Sequence, residues 1–449
     1  MITKPIPYGR QHITDEDIQC VIDALKSDYL TQGPKIKEFE EAFASYVGCK
    51  YAIAVNNATA GLHLAATALD VNLGDKVIVT PLTFAASANC IRFRGGEVVF
   101  CDVEEDTYLM DIKKLSRLLS QSPKGTYKGI VLVDFAGYPA NLEAFRQLAD
   151  EYGLWIIEDA CHAPGGYFID SKGEKQLCGN GNFADISVFS FHPVKHIATG
   201  EGGMATTNSK KLYEKLCLYR THGITKDPAL LCENHGGWYY EMQELGYNYR
   251  ITDFQAALGI SQLKRADMGL ARRQEIARRY REGLSDLKGV SLPFVSDQVF
   301  HAYHLFIIQV EDRLGLYDYL HKNNIYAQVH YVPLHLTPYY RQLGNKEGDQ
   351  PVMEEYYKHC LSLPMYPTLT DEEQELIEKI HYSFMNSEKL KKHMRCLFSN
   401  GSMYLVRNNN LLYHASIPLN DDGSLKEVYI DGKPYKGKAL LDKIDQLIR

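Results

Sequence analysis

Residues 187–203 read S-V-F-S-F-H-P-V-K-H-I-A-T-G-E-G-G, and this stretch decides how the rest of the chain is interpreted. The apolar side chains of Val188, Phe189 and Phe191 predict a buried strand, which ends before Pro193. Lys195 follows, and a glycine-rich turn then leads into a second strand. A lysine desolvated between two buried strands has a lowered pKa, and its neutral amine can attack a carbonyl. A solvated lysine at a strand end is the more common arrangement, so Lys195 alone does not define a site.

Composition excludes several classes of protein. The chain has 449 residues, of which 45% are hydrophobic and 23% are charged, so it is long enough for two or three folded domains. Its net charge of -7 argues against a nucleic-acid partner. The ten cysteines form no C-x-x-C pair, which predicts reduced thiols and a cytoplasmic location. We expect no signal peptide before Pro5 and no membrane span, because no apolar run approaches about 20 residues.

Short apolar strands alternate with amphipathic helices over the first half of the chain. This alternation predicts a mostly parallel seven-stranded sheet covered on both faces, in which ligands bind at the carboxyl ends of the strands. The predicted helices in this region include 59–69, 112–119 and 142–152. The predicted strands are 51–55, 76–80, 97–101, 129–134, 154–158, 187–191 and 203–207.

The residues that follow these strands carry complementary chemistry. A small-residue turn at 56–61 opens a helix, whose free N–H groups can bind a phosphate. Phe84 can stack on a planar ring, and Asp159 is a carboxylate at the end of a buried run. Ser190 and Lys195 follow the sixth strand. Each feature alone has an ordinary structural explanation, such as a capped helix or a core phenylalanine. Together they are what pyridoxal 5'-phosphate (PLP) requires.

Six motifs of this sequence resemble the DegT/DnrJ/EryC1/StrS family of sugar aminotransferases, from about residue 8 to about residue 384. They are N-A-T-A-G-L-H-L (57–64), T-P-L-T-F-A-A-S-A-N (80–89), E-D-A-C-H-A (158–163), S-F-H-P-V-K (190–195), G-E-G-G (200–203) and G-Y-N-Y-R-I-T-D (246–253). The resemblance implies PLP-dependent transferase fold type I, the fold of aspartate aminotransferase. It also implies a smaller C-terminal α+β domain.

The resemblance assigns cofactor roles to individual residues. Lys195 would bind PLP covalently and move protons, Asp159 would pair with the pyridine nitrogen, and His162 would lie beside the ring. Phe84 would cover one ring face, while the phosphate would be held by Ala58, Thr59 and Ser190. Asn248 would reach the phosphate of a neighbouring subunit, which implies a homodimer with shared active sites. No metal is implied.

Three further motifs resemble the pseudaminic acid branch of the family: Y-G-R-Q (8–11), Y-L-T-Q-G (29–33) and A-Q-V-H-Y (327–331). They imply transfer of an amino group from L-glutamate to C4 of UDP-2-acetamido-2,6-dideoxy-β-L-arabino-hex-4-ulose. The alternatives are another nucleotide-linked 4-keto-6-deoxy sugar and, less favoured, a non-catalytic PLP-binding partner protein. The expected sugar contacts are Tyr8, Asp28, Tyr29, Leu30, Thr31, Gln328, Val329, His330 and Tyr331.

The domain organisation follows from the extent of this resemblance. We expect a large PLP-binding domain with an N-terminal arm at 1–245 and a small domain at 246–385. An appended β-rich module of unassigned role is expected at 386–449, with strands at 402–406, 411–416 and 427–430 and a helix at 438–448. Segments 168–182 and 226–245 are predicted insertions, and the first is interpreted as surface decoration. His301, His304 and His335 receive no role.

Overall fold

The computed structural model describes residues 4–400, 404–407, 410–413 and 418–448. The chain divides into two compact units, Met1–Ile380 and His381–Arg449. The predicted division after residue 245, and the predicted start of the appended module at residue 386, stay predictions. In the described part of the chain, no helix combines the length and the apolar character that crossing a membrane requires.

The helices of the first unit lie mostly between the strands of its central sheet. They are α1 (Asp15–Leu25), α2 (Pro34–Val47), α3 (Ala58–Ala68), α4 (Ala86–Phe93), α5 (Ile112–Ser120), α6 (Leu142–Tyr152), α7 (Lys210–Arg220), α8 (Asp253–Leu263), α9 (Ala266–Leu284), α10 (Arg313–Lys322), α11 (Pro338–Arg341), α12 (Pro351–His359) and α13 (Asp371–Asn400), the last of which continues past Ile380. Two short 3-10 turns span Phe135–Gly137 and Leu334–Leu336.

The strands of the first unit form one large sheet and several small ones. They are β1 (Ile6–Pro7), β2 (Tyr51–Val55), β3 (Lys76–Val79), β4 (Glu97–Phe100), β5 (Tyr127–Val133), β6 (Trp155–Asp159), β7 (Tyr167–Ile169), β8 (Lys175–Leu177), β9 (Ile186–Ser190), β10 (Gly203–Thr207), β11 (Ile224–Thr225), β12 (Glu241–Met242), β13 (Val290–Ser291), β14 (Val299–Phe300), β15 (Phe306–Val310), β16 (Ile325–Tyr326) and β17 (Cys360–Leu363).

The large sheet has seven strands in the order β2-β10-β9-β6-β5-β3-β4, and these are the seven strands predicted from the sequence. β10 runs antiparallel to both of its neighbours, whereas the other pairs are parallel. Buried apolar clusters cover both faces of the sheet, as a parallel sheet requires. The mostly parallel α/β architecture is therefore confirmed. It places the carboxyl ends of β2, β3, β5, β6 and β9 at one edge.

Segment 168–182, which was interpreted as surface decoration, is built into the core instead. It forms the β7–β8 hairpin, and β14 extends this hairpin to a three-stranded sheet. Phe168 and Cys178 are each only 3% exposed. The interpretation was wrong because the few apolar residues of the segment lie among polar ones and form no clear pattern in the sequence. These apolar side chains face the core, as alternate residues of a half-buried strand do.

The second unit contains, in its described residues, the part of α13 after Ile380, two β-hairpins and a further helix. The strands are β18 (Tyr404–Arg407), β19 (Asn410–Tyr413), β20 (Val428–Ile430) and β21 (Lys433–Tyr435), and the helix is α14 (Lys438–Ile448). Asp431 and Gly432 connect β20 to β21 with positive φ angles of 52° and 73°, as a two-residue hairpin turn requires. The predicted strand residues 402, 403 and 414–416 lie outside the described residues.

Candidate active site

A cavity of about 620 Å³ opens at the carboxyl edge of the large sheet. It is the meeting point of the ends of β2, β3, β6 and β9, the first turn of α3 and the segment around residue 330. The predicted site residues that line it are Tyr8, Ala58, Thr59, Phe84, Asp159, His162, Ser190, Lys195, His330 and Tyr331. The structure therefore brings the predicted cofactor residues of one chain together, although they are spread over more than 130 positions of sequence.

Lys195 lies on the loop between β9 and β10, and its backbone N–H donates to the carbonyl of His192 at 2.8 Å. Burial lowers the pKa of its amine to about 8, while the neighbouring Cys161 and Asp159 oppose the shift. A pKa near 8 leaves a substantial neutral fraction near physiological pH, whereas an ordinary lysine is almost entirely protonated there. The amine can therefore act as a nucleophile and as a base.

Asp159 is the last residue of β6, and its side chain is 5% exposed. Ser87 donates its hydroxyl to Oδ2 at 2.5 Å, and the backbone N–H of Cys161 donates to Oδ1 at 3.2 Å. A further hydrogen bond of 2.6 Å joins the hydroxyls of Ser87 and Thr83. The carboxylate is thus held in one orientation, facing the cavity that Lys195 also lines.

The turn between β2 and α3 forms a cradle of backbone N–H groups. Asn57 caps α3 by accepting a hydrogen bond from the Ala60 N–H at 2.8 Å, so Ala58 and Thr59 lie in the first turn of the helix, where N–H groups lack helical partners. Gly203 of β10 lies against this turn, and a Cβ there would stand 2.7 Å from the Ala58 nitrogen. Together with Ser190 at the cavity wall, the cradle fits a phosphate group.

Aromatic rings surround the remaining space. Nδ1 of His162 accepts a hydrogen bond from the Ala136 N–H at 3.2 Å, which leaves its Nε2 to contact the Tyr331 hydroxyl at 3.3 Å. Burial, followed by the charge of Lys195, holds the pKa of His162 well below its usual range. Phe84 is 62% exposed and lies 6.3 Å from the Tyr331 ring. Its position at the open cavity, away from the core, fits a ring-stacking role.

Other predicted site residues lie outside this cavity. Asp28, Tyr29, Leu30 and Thr31 are exposed, as are Gln328 and Asn248. Val329 packs against a core cluster, and the Gln328 backbone pairs with Ser362 at 2.8 and 3.1 Å. Asn248 forms a bridge with Thr221. The contacts predicted for these residues therefore stay predictions, and the one assigned to Asn248 concerns a neighbouring subunit.

The structure also adds residues that the sequence did not indicate. Ser87 orients Asp159, and a signal was available, since Thr83 and Ser87 stand four positions apart in T-F-A-A-S. His304 contacts the Lys195 amine at 3.3 Å, although 109 residues separate the two. Cys161 lies at the cavity wall, and burial, followed by Asp159, raises the pKa of its thiol well above the usual range. A thiol that stays protonated is a weak nucleophile, so Cys161 receives no catalytic role.

Comparison with protein families gives one match that covers most of the chain. The model described as the DegT/DnrJ/EryC1/StrS aminotransferase family matches residues 11–381. A second model, described as Firmicute fructose-1,6-bisphosphatase, matches residues 318–449. This second match covers less than a third of the chain and includes the second unit.

Known relatives agree with the first match. Spore coat polysaccharide biosynthesis protein SpsC of Bacillus subtilis is 38% identical over 387 residues, which are 84% of this chain and 96% of the relative. UDP-4-amino-4,6-dideoxy-N-acetyl-beta-L-altrosamine transaminase of Campylobacter jejuni is 37% identical over 393 residues, which are 86% of this chain and 99% of the relative. The matched region ends before the second unit is complete.

Solved structures support the same assignment. Helicobacter pylori PseC, an aminotransferase involved in the biosynthesis of pseudoaminic acid, superposes with a TM-score of 0.77 at 31% identity, covering 86% of this chain and 100% of PseC. The putative sugar aminotransferase Spr1654 of Streptococcus pneumoniae, in its PMP form, gives 0.78 at 30% identity, covering 85% and 99%. The chain described here belongs to the DegT/DnrJ/EryC1/StrS aminotransferase family and is a PLP-dependent nucleotide-sugar aminotransferase of fold type I.

Proposed function

We propose that this protein transfers the amino group of L-glutamate to C4 of UDP-2-acetamido-2,6-dideoxy-β-L-arabino-hex-4-ulose, in pseudaminic acid biosynthesis. The observation that carries the transamination is the Lys195 amine, whose pKa is lowered to about 8 in the cavity that Asp159 also lines. The choice of sugar is supported by the names of the Campylobacter jejuni relative and of Helicobacter pylori PseC. It is also supported by the three sequence motifs around Tyr8, Tyr29 and His330.

Each residue of the cavity would have a separate role in this reaction. Bound PLP supplies an aldehyde carbon that carries the amino group and a ring that disperses the negative charge of the reacting carbon. The cradle at Ala58 and Thr59, with Ser190, would hold its phosphate, and Asp159 would hold the proton on its ring nitrogen. The free Lys195 amine would take a proton from the donor's reacting carbon and return one to C4 of the sugar. His162 and Phe84 would fix the plane of the ring.

The sugar side of the cavity is formed by Tyr8, His330 and Tyr331. His330 is fixed by a 2.8 Å hydrogen bond between its Nδ1 and the Ser362 hydroxyl, and its carbonyl accepts a 2.7 Å bond from the Tyr356 hydroxyl. The Tyr8 ring packs against His330 at 5.2 Å. Rings with polar tips, held rigidly at a cavity wall, are the side chains that recognise hydroxyl-rich ligands.

We further infer that the active unit is a homodimer in the cytoplasm, without nucleic-acid or membrane partners. Exposed apolar side chains support this assembly. In segment 226–245, Trp238 is 76% exposed and Leu245 is 77% exposed, so these large apolar side chains are available to pack against a second copy of the chain. Asn248 follows directly and is exposed, as a residue that contacts a second copy of the chain would be before assembly. The large and small domains, divided after residue 245, would then close over each cavity.

The alternative substrate is another nucleotide-linked 4-keto-6-deoxy sugar. One observation favours it: Spore coat polysaccharide biosynthesis protein SpsC is as similar to this chain as the altrosamine transaminase is. A non-catalytic PLP-binding role is the less favoured alternative, because both Lys195 and Asp159 are present and line one cavity.

A substrate panel tests these proposals. PLP-loaded protein is incubated with L-glutamate and a series of UDP-linked 4-keto-6-deoxy sugars, and the C4 configuration of the product is read by NMR. Preferred amination of the β-L-arabino sugar supports the pseudaminic acid assignment. Preference for its epimer would instead assign the protein to the biosynthesis of another glycan. No turnover with any sugar contradicts the catalytic proposal. The Lys195→Ala variant serves as the control, and we expect it to have no turnover.

A further inference from the structure

We propose that His304 is a positioning residue for Lys195: its Nε2 accepts a hydrogen bond from the Lys195 amine and holds the amine at the cavity whenever it is not bonded to PLP. The two nitrogen atoms are 3.3 Å apart. This inference rests on the proposed role of Lys195 as the base of the transamination. Neither the sequence nor the family motifs quoted above assign a role to His304.

The surroundings of His304 keep its imidazole neutral. The residue is 4% exposed, and the pKa of the ring is held well below its usual range by burial and then by the charge of Lys195. His162 faces the ring at a centroid distance of 4.3 Å, and His196 lies at 6.0 Å. A neutral imidazole has one lone pair to offer, whereas a lysine ammonium can only donate. While the Lys195 amine is protonated, Nε2 is therefore the acceptor and the hydrogen of the neutral ring is on Nδ1, which has no hydrogen-bond partner among the described residues.

The backbone around His304 is anchored on several sides, so the acceptor has a fixed position. Arg273 of α9 is 1% exposed, and its Nη1 donates to the carbonyls of Tyr303 and Met365 at 3.0 and 2.9 Å. The N–H of Leu305 donates to the carbonyl of Ala136 at 3.1 Å. These bonds tie the segment that precedes β15 to the loop after β5 and to α9. The backbone that carries the imidazole is therefore held in place.

A fixed acceptor matters because of the length of the lysine side chain. The four-carbon stem of Lys195 has several rotamers, and ordering such a side chain costs conformational entropy. A hydrogen bond from Nζ to His304 selects the rotamers that keep the amine at the cavity. It also stabilises the protonated amine against the neutral one, since the ammonium is the stronger donor.

The titration midpoint of the Lys195 amine depends on the ionisable and charged groups around it. Those that face it are Asp159, Cys161, His162, His196, Arg273, His304 and His330. Of these, His304 is the one whose imidazole contacts Nζ directly, at 3.3 Å, among the residues that the structure describes. Loss of one ordinary hydrogen bond to the ammonium should lower the midpoint of Lys195 by about 0.7 pH unit, a roughly fivefold change in proton affinity.

The test uses His304→Leu, which removes the acceptor, and His304→Gln, which keeps one. His301→Gln is the matched control, since His301 is also 4% exposed and precedes β15, but bonds to the Tyr303 N–H. Cofactor-free protein is treated with formaldehyde and cyanoborohydride at a series of pH values, and methylation of Lys195 is followed by peptide mass spectrometry. This readout requires neither PLP nor a sugar, so a failed substrate panel leaves it intact.

We expect the Lys195 midpoint of His304→Leu to fall by about 0.7 pH unit, and its turnover on any accepted sugar to fall about tenfold or more, as small misplacements of a reacting group do. His304→Gln should lie between His304→Leu and the unsubstituted protein, and His301→Gln should leave the midpoint unchanged. The proposal is overturned if His304→Leu titrates like His301→Gln, or if the Leu and Gln variants behave alike. If His304→Leu does not fold, His304→Met takes its place in both comparisons.

Discussion

The Asp159→Asn substitution is the sharpest test of how the site works. Asparagine keeps the shape of the side chain and removes its charge. Its Oδ1 can still accept the hydrogen bond from the Cys161 N–H, which is 3.2 Å long, and its amide nitrogen can donate to the Ser87 hydroxyl, which now lies 2.5 Å from Oδ2. The local hydrogen bonds are therefore retained, and we expect the free energy of unfolding to change by about 1 kcal/mol or less.

The effect on the reaction should be much larger. Asp159 is 5% exposed, and its proposed partner is the protonated ring nitrogen of PLP. Removing one member of a buried, hydrogen-bonded charge pair costs about 2–5 kcal/mol, which corresponds to a loss of turnover of about 30-fold to about 5,000-fold. Loss of the carboxylate also removes an influence that raises the pKa of Lys195, so that pKa should fall below about 8.

The assay is steady-state turnover of L-glutamate and the accepted sugar, with bound PLP measured separately by absorbance. Asp102→Asn is the matched control, because Asp102 is also 5% exposed but bonds to Lys114 at 2.9 Å and does not line the cavity. It should lower the free energy of unfolding by about 1–3 kcal/mol and leave turnover per folded molecule unchanged. A turnover of Asp159→Asn within tenfold of the unsubstituted protein would refute the assignment of this carboxylate.

Two further substitutions test the structure around the site. Gly203→Ala should raise the dissociation constant of PLP at least about tenfold, since its Cβ would stand 2.7 Å from the Ala58 nitrogen and push the phosphate cradle apart; fluorescence titration measures this. Gly269→Ala on α9, where the nearest atom to the added Cβ is Cγ of Pro367 at 3.6 Å, should leave PLP binding unchanged, and equal affinities for the two variants would contradict the cradle. Asp134 is a buried carboxyl whose pKa is raised well above the usual range by burial and then by Glu158. The unfolded chain releases this proton at a lower pH than the folded one, so the group lowers stability progressively as pH rises above about 4. Asp134→Asn should therefore lose less thermal stability between pH 5 and pH 8 than the unsubstituted protein, and an equal or larger loss would argue against a raised pKa.

The strands and the residues that follow them could be predicted because their signals are local. The run I-I-E-D at 156–159 shows both a buried strand and the carboxylate at its end. Helix α6 is another example, since the sequence predicts 142–152 and the helix spans Leu142–Tyr152. Such features depend only on residues that are neighbours in sequence, and they define which segments form the strands of the large sheet.

Contacts between distant segments could not be predicted in the same way. The partner of the Lys195 amine is His304, and nothing in the residues next to His304 distinguishes it from His301. The β7–β8 hairpin was missed because its three-residue strands are too short for a clear alternation of polar and apolar side chains. Helix α13 runs to Asn400, past residue 384, near which the resemblance to the family ends.

The antiparallel placement of β10 has a consequence for how this site can be altered. Ser190 and Gly203 are directly opposite each other in the β9–β10 pair, and the chain between them, which carries Lys195, is a closed loop above the sheet. Ser190 and Gly203, which lie beside the phosphate cradle, are thus distinct from the loop that carries the Lys195 amine, and the loop begins and ends at this pair of residues. Lengthening the loop would move Lys195 and leave Ser190 and Gly203 in place, whereas slipping β10 by one residue against β9 would turn Gly203 to the opposite face of the sheet. A change in the length of this loop can therefore move the Lys195 amine without altering the phosphate site. A change in the pairing of β9 with β10, in contrast, alters both.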